Sequence, residues 1–288
     1  MGWKERPHGH LLTGQNVQEK NLNRVGMRVA RRGAVLILAL FVCFLRFGLV
    51  WLNAVLRGRQ VYPRERAEWM HTSGRRVLSA MGIRYRVEGE VPRRTTLIAA
   101  NHLSYLDIVI ASAAVPCAFV AKQEISRWPA FGRLARLGGT IFLDRASRVS
   151  AWEAAEKMVE RMEDGVPVLF FPEGTSTEGV EVLRFHSTLF EPAIDRGMSV
   201  TPAAIFYEPS GSGVTERDVC WFGEDPFLPH LLQVLGLNDF VAVVRFGTPE
   251  LFPDRYAAAW RSHDAVAQMR ERHSEAVSLV DQSLSMPS

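Results

Sequence analysis

The chain has few cysteines, and their placement excludes more than their number does. Cys43, Cys117 and Cys220 are scattered over 288 residues with no CxxC pair, which argues against a disulfide framework and against a zinc site, and suits a reducing compartment. There is no H-E-x-x-H and the eight histidines are dispersed, so no metal is expected. There is no G-x-S-x-G either, so a covalent serine esterase lacks its elbow. Ser210-Gly211-Ser212-Gly213 has the wrong spacing and reads as a loop. Internal repeats and low-complexity tracts are lacking. Acidic residues are scarce at one end: residues 1–94 hold 6 Asp and Glu against 18 Lys and Arg, whereas residues 95–288 hold 25 against 16.

A basic N-terminal third suits nucleic acid or an anionic membrane surface, and what it flanks decides between them. Ala34 to Leu56 is a 23-residue apolar run broken by one charge, Arg46, and one amide, Asn53. That is long enough to span a bilayer as a helix. Arg46 near its middle is costly if it faces lipid, so a re-entrant or interfacial helix, or a span whose Arg46 faces protein, stays open. A buried core helix is the plain alternative. The run is too long for a cleaved signal peptide and has no small-residue cleavage site behind it. Arg24, Arg28, Arg31 and Arg32 precede it, and Arg57, Arg59, Arg64 and Arg66 follow, flanks that suit anionic headgroups. Nucleic acid fits poorly, because these arginines border an apolar helix and no aromatic-studded groove.

Residues 1–25 are polar and read as a poorly ordered tail, 26–83 as a membrane-associated helical segment with a second helix over 64–82, and 84–288 as an α/β domain. Apolar strands are expected at Tyr85–Glu88, Thr96–Ala100, Cys117–Ala121, Thr140–Leu143, Pro167–Phe171, Ser199–Tyr207, Val219–Phe222 and Phe240–Phe246. Helical patterns lie near 105–114, 129–137, 148–164, 187–196, 230–237 and 257–284. Strands alternating with helices imply an αβ sandwich around a largely parallel or mixed sheet.

Three clusters sit at strand ends, where open α/β sheets place their sites. Asn101-His102-Leu103-Ser104-Tyr105-Leu106-Asp107 follows the strand TLIAA. Inside one helix, five steps of 100° would put His102 and Asp107 about 140° apart. The spacing makes better sense with His102 at the strand's end and Asp107 in the first helical turn, where the helix N-terminus favours an ionised carboxylate. That carboxylate can accept from one imidazole nitrogen and leave the other as a proton acceptor, which is what a general base requires. Phe171-Pro172-Glu173-Gly174-Thr175-Ser176 follows VPVLFF; Glu173 could hold a substrate hydroxyl, and Gly174 lets substrate approach the main chain. Gly139 through Arg145 forms a strand that ends in an Arg, whose planar fork suits phosphate or carboxylate. Alone, each reads as an ordinary turn or surface charge; together, at neighbouring strand ends, they read as a site.

In this order and spacing the clusters resemble the glycerolipid acyltransferase superfamily, best known for 1-acyl-glycerol-3-phosphate acyltransferases. Asn101-His102 with Asp107 looks like its first block, Gly139–Arg145 its second, Phe171-Pro172-Glu173-Gly174 its third and Val200-Thr201-Pro202-Ala203 its fourth, so the likeness covers roughly residues 80–210. It implies an αβ sandwich preceded by N-terminal membrane-binding helices, with 84–288 as the acyltransferase domain. It implies that His102 deprotonates a lysolipid hydroxyl and that Asp107 orients it. Acyl-CoA or acyl-carrier protein is the co-substrate, with no cofactor, no metal and no nucleic acid. Substrate binding falls to Asn101, Lys122, Arg145, Glu173, Gly174, Thr175 and Arg184, at a cell membrane with the site facing the cytoplasm. The acceptor expected first is 1-acyl-sn-glycerol-3-phosphate. Ser176 stands where phosphate-recognising members usually carry an Arg, and 177–187 looks more like the lyso-ornithine lipid acyltransferase branch; Arg184 could replace the missing cation. An acyl-thioester hydrolase using the same His–Asp pair, and a non-enzymatic membrane scaffold, are the rival readings.

Overall fold

A computed structural model describes residues 11–92, 95–128, 131–144, 146–209 and 214–285. Two helices come first, α1 (Leu11–Leu56) and α2 (Pro63–Met81). The rest alternates: β1 (Arg84–Glu88), β2 (Thr96–Ala100), α3 (Leu106–Ala114), β3 (Ala118–Lys122), α4 (Phe131–Leu137), β4 (Ile141–Leu143), α5 (Arg148–Glu163), β5 (Val168–Phe170), α6 (Glu191–Asp195), β6 (Ser199–Pro209), α7 (Phe227–Gly236), β7 (Phe240–Phe246) and α8 (Arg255–Ser285). The seven strands form one sheet in the order β1-β7-β6-β2-β5-β3-β4. Neighbours run parallel except β6 and β7, which are antiparallel. The αβ sandwich read from the alternation is therefore present, with a mixed sheet.

Strands buried on both faces read as continuous apolar runs, and β2, TLIAA, is buried at every residue. Its alternate side chains enter different cores. Ile98 and Ala100 meet Ile110 of α3 and Val77 of α2, while Leu97 and Ala99 meet Met158 of α5 and Ala258 of α8. β2 thus lies in the middle of a three-layer sandwich, and its C-terminal end opens between layers. α2 and α3 approach closely because residue 74 is glycine: a Cβ there would lie 2.3 Å from Ser112 Oγ and 2.9 Å from the Val109 carbonyl oxygen.

Two expectations are corrected. The segment Val219–Phe222 is not a strand. It follows a 3-10 turn at Glu216–Asp218 and makes one long-range backbone bond, Trp221 N–H to Leu103 O at 2.8 Å. Both edges of β6 are already taken, by β2 and β7, so an apolar run there has no ladder to join. Helix α1 also begins at Leu11, well before residue 26, through residues that read as a tail; once a helix is nucleated, extending it by one more residue costs little.

The stretch Asn23–Leu56 is long and apolar enough to cross a membrane, and only 17% of its most apolar window is buried. Ile37, Leu38, Phe41, Leu45 and Leu49 face outward, so this is not a buried core helix. Arg46 is exposed as well, and meets no other described part of this chain. Several flanking arginines are committed to protein. Arg28 donates to the Gly236 carbonyl at 2.7 Å, and Arg32 to those of Leu235, Leu237 and Asn238, satisfying the orphan carbonyls at the end of α7. Arg64 and Arg66 likewise bond Asp164 O and Leu137 O. These cations lock the helical pair to the sandwich.

Candidate active site

Asn101 leaves β2 and is 1% exposed. Its Oδ1 accepts the Ile205 N–H at 2.7 Å and its Nδ2 donates to Ile205 O at 3.2 Å, which pins the end of β2 to β6. Both halves of its amide are used within the sheet, and it does not line the cavity beside His102.

The chain then turns into α3, and Asp107 falls in the first helical turn. Asp107 is fully buried. Its Oδ2 accepts from the backbone N–H groups of Leu103 at 2.6 Å and Ser104 at 3.0 Å, and contacts His102 Nδ1 at 2.7 Å. Its Oδ1 accepts the hydroxyl of Tyr207 from β6. A buried carboxylate with this many donors is satisfied as an anion. As the acceptor it fixes the proton on Nδ1, so the lone pair of His102 lies on Nε2. The imidazole stacks on Phe171, with centroids 4.1 Å apart and planes 12° apart.

Glu173 acts from beneath. Its Oε1 accepts the His102 N–H at 2.7 Å and its Oε2 the Leu183 N–H at 2.8 Å, while Thr177 N–H reaches His102 O at 3.0 Å. The main chain of His102 is thereby held on both sides. Both carboxylate oxygens being engaged and the residue 4% exposed, Glu173 braces the loop that carries His102. Burial pushes its carboxyl up to about 7, against the two N–H donors that favour the anion. The raised value sets the sign of a pH effect. Between 4.5 and 7 the unfolded chain has released this proton and the folded chain keeps it, so stability falls as pH rises through that window. The expected loss is about 3 kcal/mol, from 1.36 kcal/mol per unit. Urea unfolding at pH 5 and pH 8 should show that part of the slope vanish in Glu173→Gln; an unchanged slope would refute it.

His102 opens onto a cavity of about 490 Å³, within the range of ligand pockets. Gly174, Thr175 and Ser176 line it on one side and Lys122 at the end of β3 on another. Gly174 has φ +79, a conformation that favours glycine. From there the cavity runs along Ile108 and Val109 of α3, past Met70, Gly74 and Val77 of α2, to Leu134 of α4. Of the expected substrate-binding residues, then, Lys122, Gly174 and Thr175 line the cavity. Arg184 is exposed and does not line it, and Arg145 lies outside the described residues.

An aromatic wall was not expected. Tyr105, Trp128, Phe131, Trp221 and Phe227 pack around the cavity, edge to face except for the tilted Trp128–Phe227 pair, with centroid distances of 4.9 to 5.7 Å. Trp221 and Phe227 come from the region after residue 210, which carries no motif. The one sequence signal was its density of aromatics, WFGEDPF, with no strand slot to bury them. Phe171 sat inside a motif and was passed over, and nothing in the sequence singles out Tyr207.

Comparison with known proteins finds relatives for the chain and for its fold. A family model described as Acyltransferase matches residues 82–206. A lyso-ornithine lipid O-acyltransferase from Pseudomonas aeruginosa is 37% identical over 160 residues, covering 56% of this chain and 61% of the relative. A Rhodobacter capsulatus protein of the same name is covered to 59%, so the chain spans about three fifths of both relatives. A 1-acyl-sn-glycerol-3-phosphate acyltransferase from Neisseria meningitidis is 34% identical over 201 residues, covering 68% of this chain and 78% of the relative. The crystal structure of the 1-acyl-sn-glycerophosphate (LPA) acyltransferase PlsC from Thermotoga maritima superposes with a TM-score of 0.61 over 86% of this chain and 98% of that one, at 20% identity. The fold is shared.

Proposed function

The chain belongs to the acyltransferase family, and on that premise we propose that it moves a fatty acyl group from acyl-CoA or acyl-carrier protein onto the free hydroxyl of a lysolipid. The observation that carries this reading is the His102–Asp107 contact of 2.7 Å at the mouth of a largely apolar cavity. His102 Nε2 takes the hydroxyl proton as the lipid oxygen attacks the thioester carbonyl. The tetrahedral intermediate collapses, the carbon–sulfur bond breaks, and the imidazolium returns the proton to the departing thiolate. The substrate supplies the nucleophile, so no enzyme nucleophile is required. The same cavity accommodates a fatty chain along Ile108, Val109 and Val77.

The outward apolar face of α1 supports placement at a cell membrane. The site is proposed to face the cytoplasm, where acyl-CoA and acyl-carrier protein are found. The acceptor proposed first is 1-acyl-sn-glycerol-3-phosphate, with Lys122 near its headgroup. Ser176 in the cavity wall favours a second reading, a lyso-ornithine lipid, because a doubly anionic phosphate loses about 1.5–3 kcal/mol with each charged hydrogen bond withheld.

Purified enzyme given labelled acyl-CoA or acyl-carrier protein, with lysophosphatidate, lyso-ornithine lipid or no acceptor, tests both. Label should enter lipid only when acceptor is present, and activity on one acceptor alone chooses the branch. Equal release of free fatty acid with and without acceptor would mean a thioester hydrolase.

A further inference from the structure

Asp107 divides its hydrogen bonds unequally. Oδ2 takes His102 and two backbone N–H groups, whereas Oδ1 takes the hydroxyl of Tyr207. We propose that Tyr207 is a positioning residue for the His102–Asp107 pair, its hydroxyl setting how strongly Asp107 attracts the imidazole and so how basic His102 is. The proposal rests on reading that pair as the general base.

Packing alone does not account for the hydroxyl. The ring of Tyr207 meets Phe240 at 6.0 Å and 77°, a contact that a phenylalanine would make equally well. Its placement is also built deliberately. Tyr207 N–H donates to Glu216 Oε1 at 2.9 Å. Glu216 is paired at 2.8 Å with Arg270 of α8, which also donates to Ile205 O at 2.7 Å and Gly179 O at 2.6 Å. The last helix thus reaches across the sheet and braces the strand segment carrying Tyr207.

Among the described charged and titratable groups around the pair, neither Asp107 nor Glu173 is ion-paired to a Lys or Arg. Behind Tyr207, Glu216 and Arg270 neutralise each other. Cys220 and Tyr207 are buried and pushed up, so both are neutral. Beneath His102 lies Glu173, braced on two backbone N–H groups. Asp107 is the anion that the Tyr207 hydroxyl meets. A donor on Oδ1 draws charge from the carboxylate and weakens its pull on the imidazolium. Without it, the two backbone N–H groups still hold Asp107 ionised, and His102 becomes more basic.

The test is Tyr207→Phe in the full chain, read by NMR titration of the His102 ring and by the pH profile of kcat/KM. The titration of His102 should move up by about one pH unit, the scale of one charge-assisted hydrogen bond. At neutral pH kcat/KM should fall by up to about tenfold, because a one-unit rise leaves that much less of His102 unprotonated and able to accept the hydroxyl proton, and the loss should vanish at alkaline pH. 3-Fluorotyrosine at position 207 is nearly isosteric and a stronger donor, and should move the titration down; it serves as the readout if the phenylalanine variant fails to fold. A His102 titration that superposes on the parent in a folded variant overturns the proposal. Because the NMR readout needs no turnover, a shift in a protein that transfers no acyl group would sink the proposed reaction and leave the coupling standing.

Discussion

His102→Ala should abolish acyl transfer almost entirely, with kcat down by about 10²–10⁴, the usual contribution of a positioned general base. The fold should survive, because the backbone contacts to Glu173 and Thr177 remain and Asp107 keeps the Leu103 and Ser104 N–H groups and the Tyr207 hydroxyl as donors. What is lost is the ring stacked on Phe171, its contact with Asp107 and the Nε2 lone pair proposed to take the acceptor proton. Binding to anionic vesicles, measured by flotation, should be unchanged, since the outward side chains of α1, among them Ile37, Leu38, Phe41, Leu45 and Leu49, are far from His102 in sequence and do not line its cavity. That combination separates the enzyme from a membrane scaffold, for which the same substitution would be silent. Turnover within twofold of the parent would end the general-base reading.

How much of this was legible beforehand depends on the range of the interaction. The alternation of apolar runs set the sandwich, because a strand buried on both faces has no other composition available to it. The His102–Asp107 pair was legible because its contact is local: five residues, one strand end, one helical turn. Asn101 and Glu173 were legible as site residues, but not their contacts with the backbones of Ile205 and Leu183. Motif reasoning sees a side chain's chemistry and is blind to a peptide group brought against it. Tyr207 and Arg270 were invisible for the same reason carried further, and Trp221 was marked only by the aromatics around it. Each reaches the site from 50 or more positions away along the chain, through strand order alone. The false strand at Val219–Phe222 shows the converse: its residues suit a strand, but the sheet has no free edge where it would lie.

Asp107→Asn separates orientation from charge. An amide has one acceptor oxygen and one donating NH₂ in place of two acceptors, so it can be seated in two ways. At the Oδ2 position two of the donors, Leu103 N–H and Ser104 N–H, belong to the backbone and cannot turn away. At the Oδ1 position the donor is the Tyr207 hydroxyl, which can rotate and accept instead. The amide oxygen therefore takes the Oδ2 side, His102 keeps its proton on Nδ1, and the tautomer survives. What disappears is the negative charge beside an imidazole that becomes positive during proton transfer. Opposite charges at about 4 Å attract by about 4 kcal/mol at an effective dielectric of 20, so kcat should fall by about 10²–10³, with KM and thermal stability nearly unchanged. The pH profile gives an independent reading, because loss of the anion must lower the basicity of His102 and move the acid limb of kcat/KM to lower pH. An Asn variant that kept its turnover would show that orientation alone suffices and that Asp107 need not be charged.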